Sequence, residues 1–326
     1  MHSTRYVRKP FLVHSLEALG ICLPPVLAAV VALVLLCSPV ARAQQANEKT
    51  FATPGHAVLA LYDAAKSNDS QAFDAIFGGK AKPILHTGDD VADKNMVAAF
   101  VSRYDLMHRL VAEPDQTVTL YVGLENWPLP IPIVKNSNGA WYFDTASGEK
   151  EILRRRVGTN ENDAIEILYT LVDAQREFAA TSPAGAKTRP FANRFLSDEG
   201  QHNGLYWKTS ENEPSSPIGP LLVAAASENY NLQKGQRSPF HGYYYRILTR
   251  QGPAAKGGAR DYLQNGKLEG GFAFVAYPAE YRNSGVMTFI VNQNGTVFEK
   301  DLGPQTSQIA VEMKDYDPDK TWQPTD

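Results

Sequence analysis

Residues 149–180 read EKEILRRRVGTNENDAIEILYTLVDAQREFAA, and this stretch divides the chain. From Asn160, which can cap a helix, Ile165, Leu168, Leu171, Val172, Phe178 and Ala179 keep one continuous apolar face. They predict the longest helix of the protein over about 161–180. The charged strings before it, Glu149-Lys150-Glu151 and Arg154-Arg155-Arg156, read as a solvated or ion-paired junction rather than a nucleic-acid patch. A boundary is therefore placed at Gly158, between a unit over 44–158 and a unit over 159–326.

Outward toward the N-terminus, Thr53-Pro54 is a helix cap followed by a first-turn proline, and Asn68-Asp69-Ser70 starts a second short helix that Gly78-Gly79 stops. A third helix is predicted from about Asp93 to Leu106. The period then changes to two: Val118, Leu120 and Val122 alternate with Thr117, Thr119 and Tyr121, and strands over 131–134 and 141–143 flank the turn Asn138-Gly139. This helix-first order, closed by Trp141-Tyr142-Phe143-Asp144, resembles the cone-shaped domains similar to nuclear transport factor 2. Outward toward the C-terminus, Ser182-Pro183-Ala184-Gly185 ends the long helix and a loop-rich stretch runs to about Pro239. Strands return over 243–249, 271–277 and 286–292, the last joined through Asn294-Gly295 to 296–300. The fold class is α+β: a helix-first, cone-like domain with a curved antiparallel sheet, then a long helix packed on a small antiparallel sheet.

The N-terminus has a basic start (Arg5, Arg8, Lys9), an apolar run from Ile21 to Cys37, and small residues at Ala41 and Ala43. That order is a secretory signal peptide over 1–43 with cleavage expected after Ala43, and it places the mature protein in the periplasm or outside the cell. Membrane contact is expected only through this segment, were it kept as an anchor. Cleavage would leave 283 of the 326 residues. It would remove four of 32 basic and one of 35 acidic residues, moving the net charge from −3 to −6. An acidic chain is not built to neutralise nucleic acid. Both cysteines, Cys22 and Cys37, lie in the segment, so the mature chain has no thiolate nucleophile and no sulfur ligand.

Five histidines remain in the mature chain: His56, His86, His108, His202 and His241. No pair has the spacing of a zinc motif, and no metal and no cofactor are expected. No G-x-S-x-G string marks a serine nucleophile, and Gly257-Gly258 and Gly270-Gly271 lack the lysine of a phosphate loop. Asp89-Asp90 reads as a helix-capping pair. Aromatic residues concentrate in Gly204-Leu205-Tyr206-Trp207 and in Pro239-Phe240-His241-Gly242-Tyr243-Tyr244-Tyr245-Arg246, where stacking on sugar rings competes with core packing.

The strings Trp127-Pro128-Leu129-Pro130-Ile131-Pro132, Asp173-Ala174-Gln175-Arg176-Glu177-Phe178, Ser216-Pro217-Ile218-Gly219-Pro220, Gly270-Gly271-Phe272-Ala273 and Lys300-Asp301-Leu302-Gly303 together resemble one bacterial family, domain of unknown function 2950. The resemblance covers 50–322 and implies an exported bacterial protein without supplying catalytic residues. The cadence of Ala174-Gln175, Gly242-Tyr243-Tyr244-Tyr245 and Gly285–Gly295 is also similar to type IV pilin and pseudopilin heads, although Asn160-Glu161-Asn162-Asp163 is no pilin stem. Three functions follow as expectations. The first is a non-catalytic binding protein that meets an envelope protein or glycan through Tyr206, Trp207, His241, Tyr243, Tyr244 and Arg246. The second is a periplasmic hydrolase of cell-wall material with His241 and Asp261 or Glu269 as its acid/base pair. The third is a small-ligand binder whose cone is lined by Phe100, Tyr121, Trp127 and Trp141.

Overall fold

In the computed structural model the described residues are 48–182, 188–210, 213–231 and 237–325. The expected signal peptide, its cleavage site and both cysteines lie outside them, as do Pro183-Ala184-Gly185. No described helix is long and apolar enough to cross a membrane.

The front half begins as its caps dictate. Thr53 Oγ1 accepts from His56 N, Pro54 opens α1 (Pro54–Ser67), and Asn68 closes it at φ +52. Asp69 accepts from Gln71 N and Ala72 N at the head of α2 (Ser70–Phe77), which buries Phe73, Ile76 and Phe77. A 3-10 turn (Gly78–Lys80) leads to α3 (Ala81–Leu85), and Asp89 caps α4 (Asp90–Leu106) by accepting from Ala92 N. An antiparallel sheet follows: β1 (His108–Ala112), β2 (Val118–Val122), β3 (Trp127–Pro128), β4 (Ile133–Lys135) and β5 (Trp141–Phe143). Its order is β1-β2-β4-β5, with β3 also on β2. The alternation along β2 buries Val118, Leu120 and Val122. Gly139, at φ +83, makes the β4–β5 turn that Asn138-Gly139 predicts.

The long helix corrects the sequence reading. It is α5, Thr145–Ala180, 36 residues capped by Asp144, whose carboxylate accepts from Ser147 N. Gly158 lies in its middle with open space around it, so the helix passes through that glycine, and Asn160 is interior rather than a cap. A glycine inside a helix costs about 1 kcal/mol, which the packed turns on either side absorb. The charged string 149–156 is thus helical and its arginines divide. Arg154 and Arg155 both bond Glu151, holding its carboxyl down at about 2, while Arg156 turns inward.

The loop-rich stretch contains one unexpected helix, α6 (Gly219–Ser227). Next come β6 (Tyr243–Leu248) and the short strands β7 (Arg250–Gln251), β8 (Arg260–Asp261), β9 (Leu263–Gln264) and β10 (Lys267–Leu268). The chain ends with β11 (Ala273–Pro278), β12 (Met287–Asn292), β13 (Val297–Asp301), α7 (Thr306–Glu312), β14 (Asp315–Tyr316) and β15 (Gln323–Pro324). The main sheet, β15-β13-β12-β11-β6, is antiparallel throughout and leaves β6 on an edge. β11 is buried along its whole length, because α5 and α7 both pack on it.

Two hydrophobic cores result. One joins α1–α3 to the first sheet through Leu61, Phe73, Phe77, Leu120, Ile133 and Phe143; the other joins the back half of α5 to the second sheet through Leu168, Leu171, Phe274, Phe289 and Ile290. Each fully buried Phe, Leu or Ile contributes about 2 kcal/mol. Polar contacts tie the two halves. Asp89 accepts from Tyr230 Oη at 2.9 Å and Gly242 N at 3.0 Å, Asn160 donates to Ser284 O at 2.8 Å, and Glu161 accepts from Val286 N and Met287 N.

Candidate functional site

A cavity of about 700 Å³ lies between α4, the first sheet and the front half of α5. Its floor is apolar, from Leu61, Phe73, Phe77, Ile84, Val122 and Ile131. Its polar groups are few: Thr87, Asp93, Arg103, Arg155, Arg156, Thr159 and Asn160. Helix α4 shows why the space is there. Of its 17 residues only Asp93 and Tyr104 are fully buried, and Met96, Val97 and Phe100 line the cavity instead of a filled core.

The electrostatics differ at each polar group. Asp93 is 7% exposed and accepts from Thr87 N at both carboxylate oxygens, 3.1 and 3.2 Å. Burial pushes its carboxyl above the ordinary value, and the Thr87 hydrogen bonds and the Arg156 charge oppose the shift only in part. Arg156 is bound structurally, donating to Pro83 O, Ile84 O and Asn283 Oδ1, and burial lowers it from the usual arginine value. Arg155 donates to Glu151 at 2.6 Å and lies 5.6 Å over the Trp127 ring. No carboxylate pairs with Arg103 among the described residues.

Of the four residues expected to line this cone, Phe100 and Trp127 do. Tyr121 and Trp141 do not: Tyr121 stacks under Arg109, 4.5 Å from its ring centre, and Trp141 pairs with Phe51. The residues that were missed are Ile152, Arg155, Arg156, Thr159 and Asn160. Their spacing i, i+3, i+4, i+7, i+8 is one helix face, visible only when 145–180 is read as a single helix.

His241 sits at φ +50 with both ring nitrogens engaged, Nδ1 to Asp163 at 2.8 Å and Nε2 to Glu228 at 2.7 Å. Neither nitrogen is left to face a substrate. Asp261 and Glu269 are not its partners. Asp261 pairs across β7–β8 with Arg250, and Glu269 accepts from Thr188. Among the described residues His241 is hydrogen-bonded to neither of the two carboxylates named in the hydrolase expectation.

The other candidates separate. Tyr206 and Trp207 are half-buried in an open cleft of about 570 Å³, with Trp207 stacked on His202 at 4.4 Å. Tyr243, expected at a binding surface, is wholly buried: its hydroxyl donates to Met287 O at 3.0 Å and its ring fills the space beside Gly285. Tyr244 and Arg246 alternate onto the opposite face and line a third cavity. Among the described residues no cluster of three His, Asp or Glu side chains is placed to hold a metal ion.

A family model, Protein of unknown function (DUF2950), matches residues 48–325. The chain belongs to this family. The DUF2950 match takes in both cores, all of α5 and each of the cavities above. Neither a curated protein nor a solved structure matches the chain, so the likenesses to transport-factor cones and pilin heads remain likenesses of element order and cadence. One apolar space carries a few hydrogen-bonding groups, and His241 is held between the carboxylates of Asp163 and Glu228.

Proposed function

We propose that this protein is an exported, non-catalytic binding protein whose front half encloses a small amphiphilic ligand. The supporting observation is the cavity of about 700 Å³ beneath α4, apolar at its floor and lined on the α5 side by Arg155, Thr159 and Asn160. Its size falls in the ordinary range for ligand sites, which combine apolar walls with a few orienting polar groups. An acyl chain or flat ring system would occupy the floor. Its polar end would meet Arg103, which has no carboxylate partner among the described residues, and Thr159.

The test is displacement of a naphthylamine fluorophore from the full chain by medium-chain carboxylates and by the corresponding alcohols. Val97→Trp, which projects an indole into the cavity, is expected to lower dye uptake at least tenfold while leaving the circular dichroism spectrum unchanged. Equal dye binding by the parent and Val97→Trp would remove the cavity as the site.

A second reading attaches to the half-exposed Trp207–His202 stack, a platform of the kind that packs on a sugar ring of an envelope glycan. Retention on peptidoglycan that is lost in Trp207→Ala would support it. Retention of that variant would end it.

A further inference from the structure

β6 is the last strand of its sheet, and a cavity of about 510 Å³ takes three consecutive residues of it, Tyr244, Tyr245 and Arg246, as one wall. Successive strand side chains point to opposite faces, so a space touching all three wraps the free edge of the strand. The opposite wall comes from the 193–196 segment and from Leu221 and Leu222 of α6.

Its chemistry is one-sided. Arg194, Arg237 and Arg246 line it and no carboxylate does, in a chain whose acidic residues outnumber its basic ones, 35 to 32. Arg194 is neutralised by Asp198. Among the described residues Arg237 and Arg246 have no acidic partner, and they are close enough to repel one another. Arg246 spends Nη1 on Ala310 O and Met313 O at the end of α7, which anchors it without cancelling its charge.

The deciding group is Tyr277. It lies opposite Tyr244 in the β6–β11 register, is 1% exposed and lines this cavity, and among the described residues its hydroxyl has no hydrogen-bond partner. A buried hydroxyl left unpaired costs about 1–3 kcal/mol, so such a group is accounted for by something that occupies the adjoining space. Here that space is bordered by two uncompensated guanidiniums and by apolar walls from Leu171, Ile218 and Phe240.

We propose that this cavity binds a small organic anion, a carboxylate or phosphate on an apolar body, with the anion held by Tyr277 Oη, Arg237 and Arg246. The site is separate from the cavity beneath α4. Titration calorimetry of the full chain with phenyl phosphate, benzoate and inorganic phosphate tests it, with benzyl alcohol as the neutral control. The aromatic anions are expected to bind at least tenfold more tightly than benzyl alcohol, and added salt is expected to weaken them. Tighter phenyl phosphate than benzoate assigns a phosphate, and the reverse assigns a carboxylate. Tyr277→Phe and Arg237→Gln, one isosteric and one at an exposed position, are each expected to weaken binding roughly tenfold or more, the usual loss for a hydrogen bond to a charged group. Val97→Trp should leave this binding unchanged, which separates the two sites. Absence of anion binding, anions and benzyl alcohol binding alike, or both variants binding as the parent does would overturn the proposal.

Discussion

Asp89 is 1% exposed and its carboxylate accepts three hydrogen bonds: from Ala92 N as a helix cap, and from Tyr230 Oη and Gly242 N across the interface between the two halves. Replacing it with alanine strands those donors in a dry place. Asp89→Ala is therefore expected to cost on the order of 3–5 kcal/mol in urea unfolding, while Asp89→Asn, which keeps an acceptor oxygen, should cost less than half of that. Its neighbour Asp93 acts through its proton. Burial raises its carboxyl above 3.8 in the folded chain. Between 3.8 and that raised value the folded chain holds a proton the unfolded chain has lost, so stability falls as pH rises through this window and levels off above it. Unfolding midpoints measured across mildly acidic pH should show that slope in the parent and lose it in Asp93→Asn.

The two interior glycines of α5 make opposite predictions. At Gly158 a Cβ meets nothing within 4 Å, so Gly158→Ala should stabilise the protein by about 0.5–1 kcal/mol, a gain expected only if the helix is continuous there. At Gly148 a Cβ would lie 2.6 Å from Ile131 Cγ1 and 2.8 Å from the Ile131 backbone. Gly148→Ala is accordingly expected to destabilise by about 1–3 kcal/mol despite better helix propensity, and paired thermal melts of the two variants check both signs. The same helix shows what sequence alone can carry. Local chemistry was legible: Thr53-Pro54, Asp69 and Asp89 cap the helices they announce, and Asn138-Gly139 and Asn294-Gly295 turn the expected hairpins. The start of α5 was not, because Gly158 and Asn160 imitate a stop and a cap and only the packing of the flanking turns overrules them. Strand β1 was missed because it is an exposed edge whose residues carry no apolar alternation. α6 was missed because its run GPLLVAAAS has neither a side-chain cap nor a polar face. The cavity followed the helix: two of its aromatic walls were readable, whereas its α5 side depends on one helix face that a boundary at Gly158 cuts in two.

Over the whole molecule, α5 spans about 54 Å and lends one end to each core, so the two cores could melt separately if the helix alone joined them. The polar ties argue otherwise. Besides Asp89, Asn283 accepts from Arg156 and donates to His86 O, Asn160 reaches Ser284 O, and Asn95 reaches Glu228 O. Opening the interface exposes Arg156 and Asp89 to water but breaks contacts worth about 1 kcal/mol each, which is enough in sum to couple units that are individually only a few kcal/mol stable. The tryptophans report on this, since Trp127 and Trp141 belong to the front half and Trp207 and Trp322 to the back. With one pair replaced by phenylalanine at a time, both fluorescence signals are expected to share a single midpoint in the otherwise unchanged chain. In an Asp89→Ala/Asn283→Ala background they should separate, with the front pair melting first because the cavity beneath α4 leaves its core underfilled. Ligand entry into that cavity should then raise the front midpoint toward the back one, whereas two midpoints already apart in the parent would show that the ties contribute no coupling.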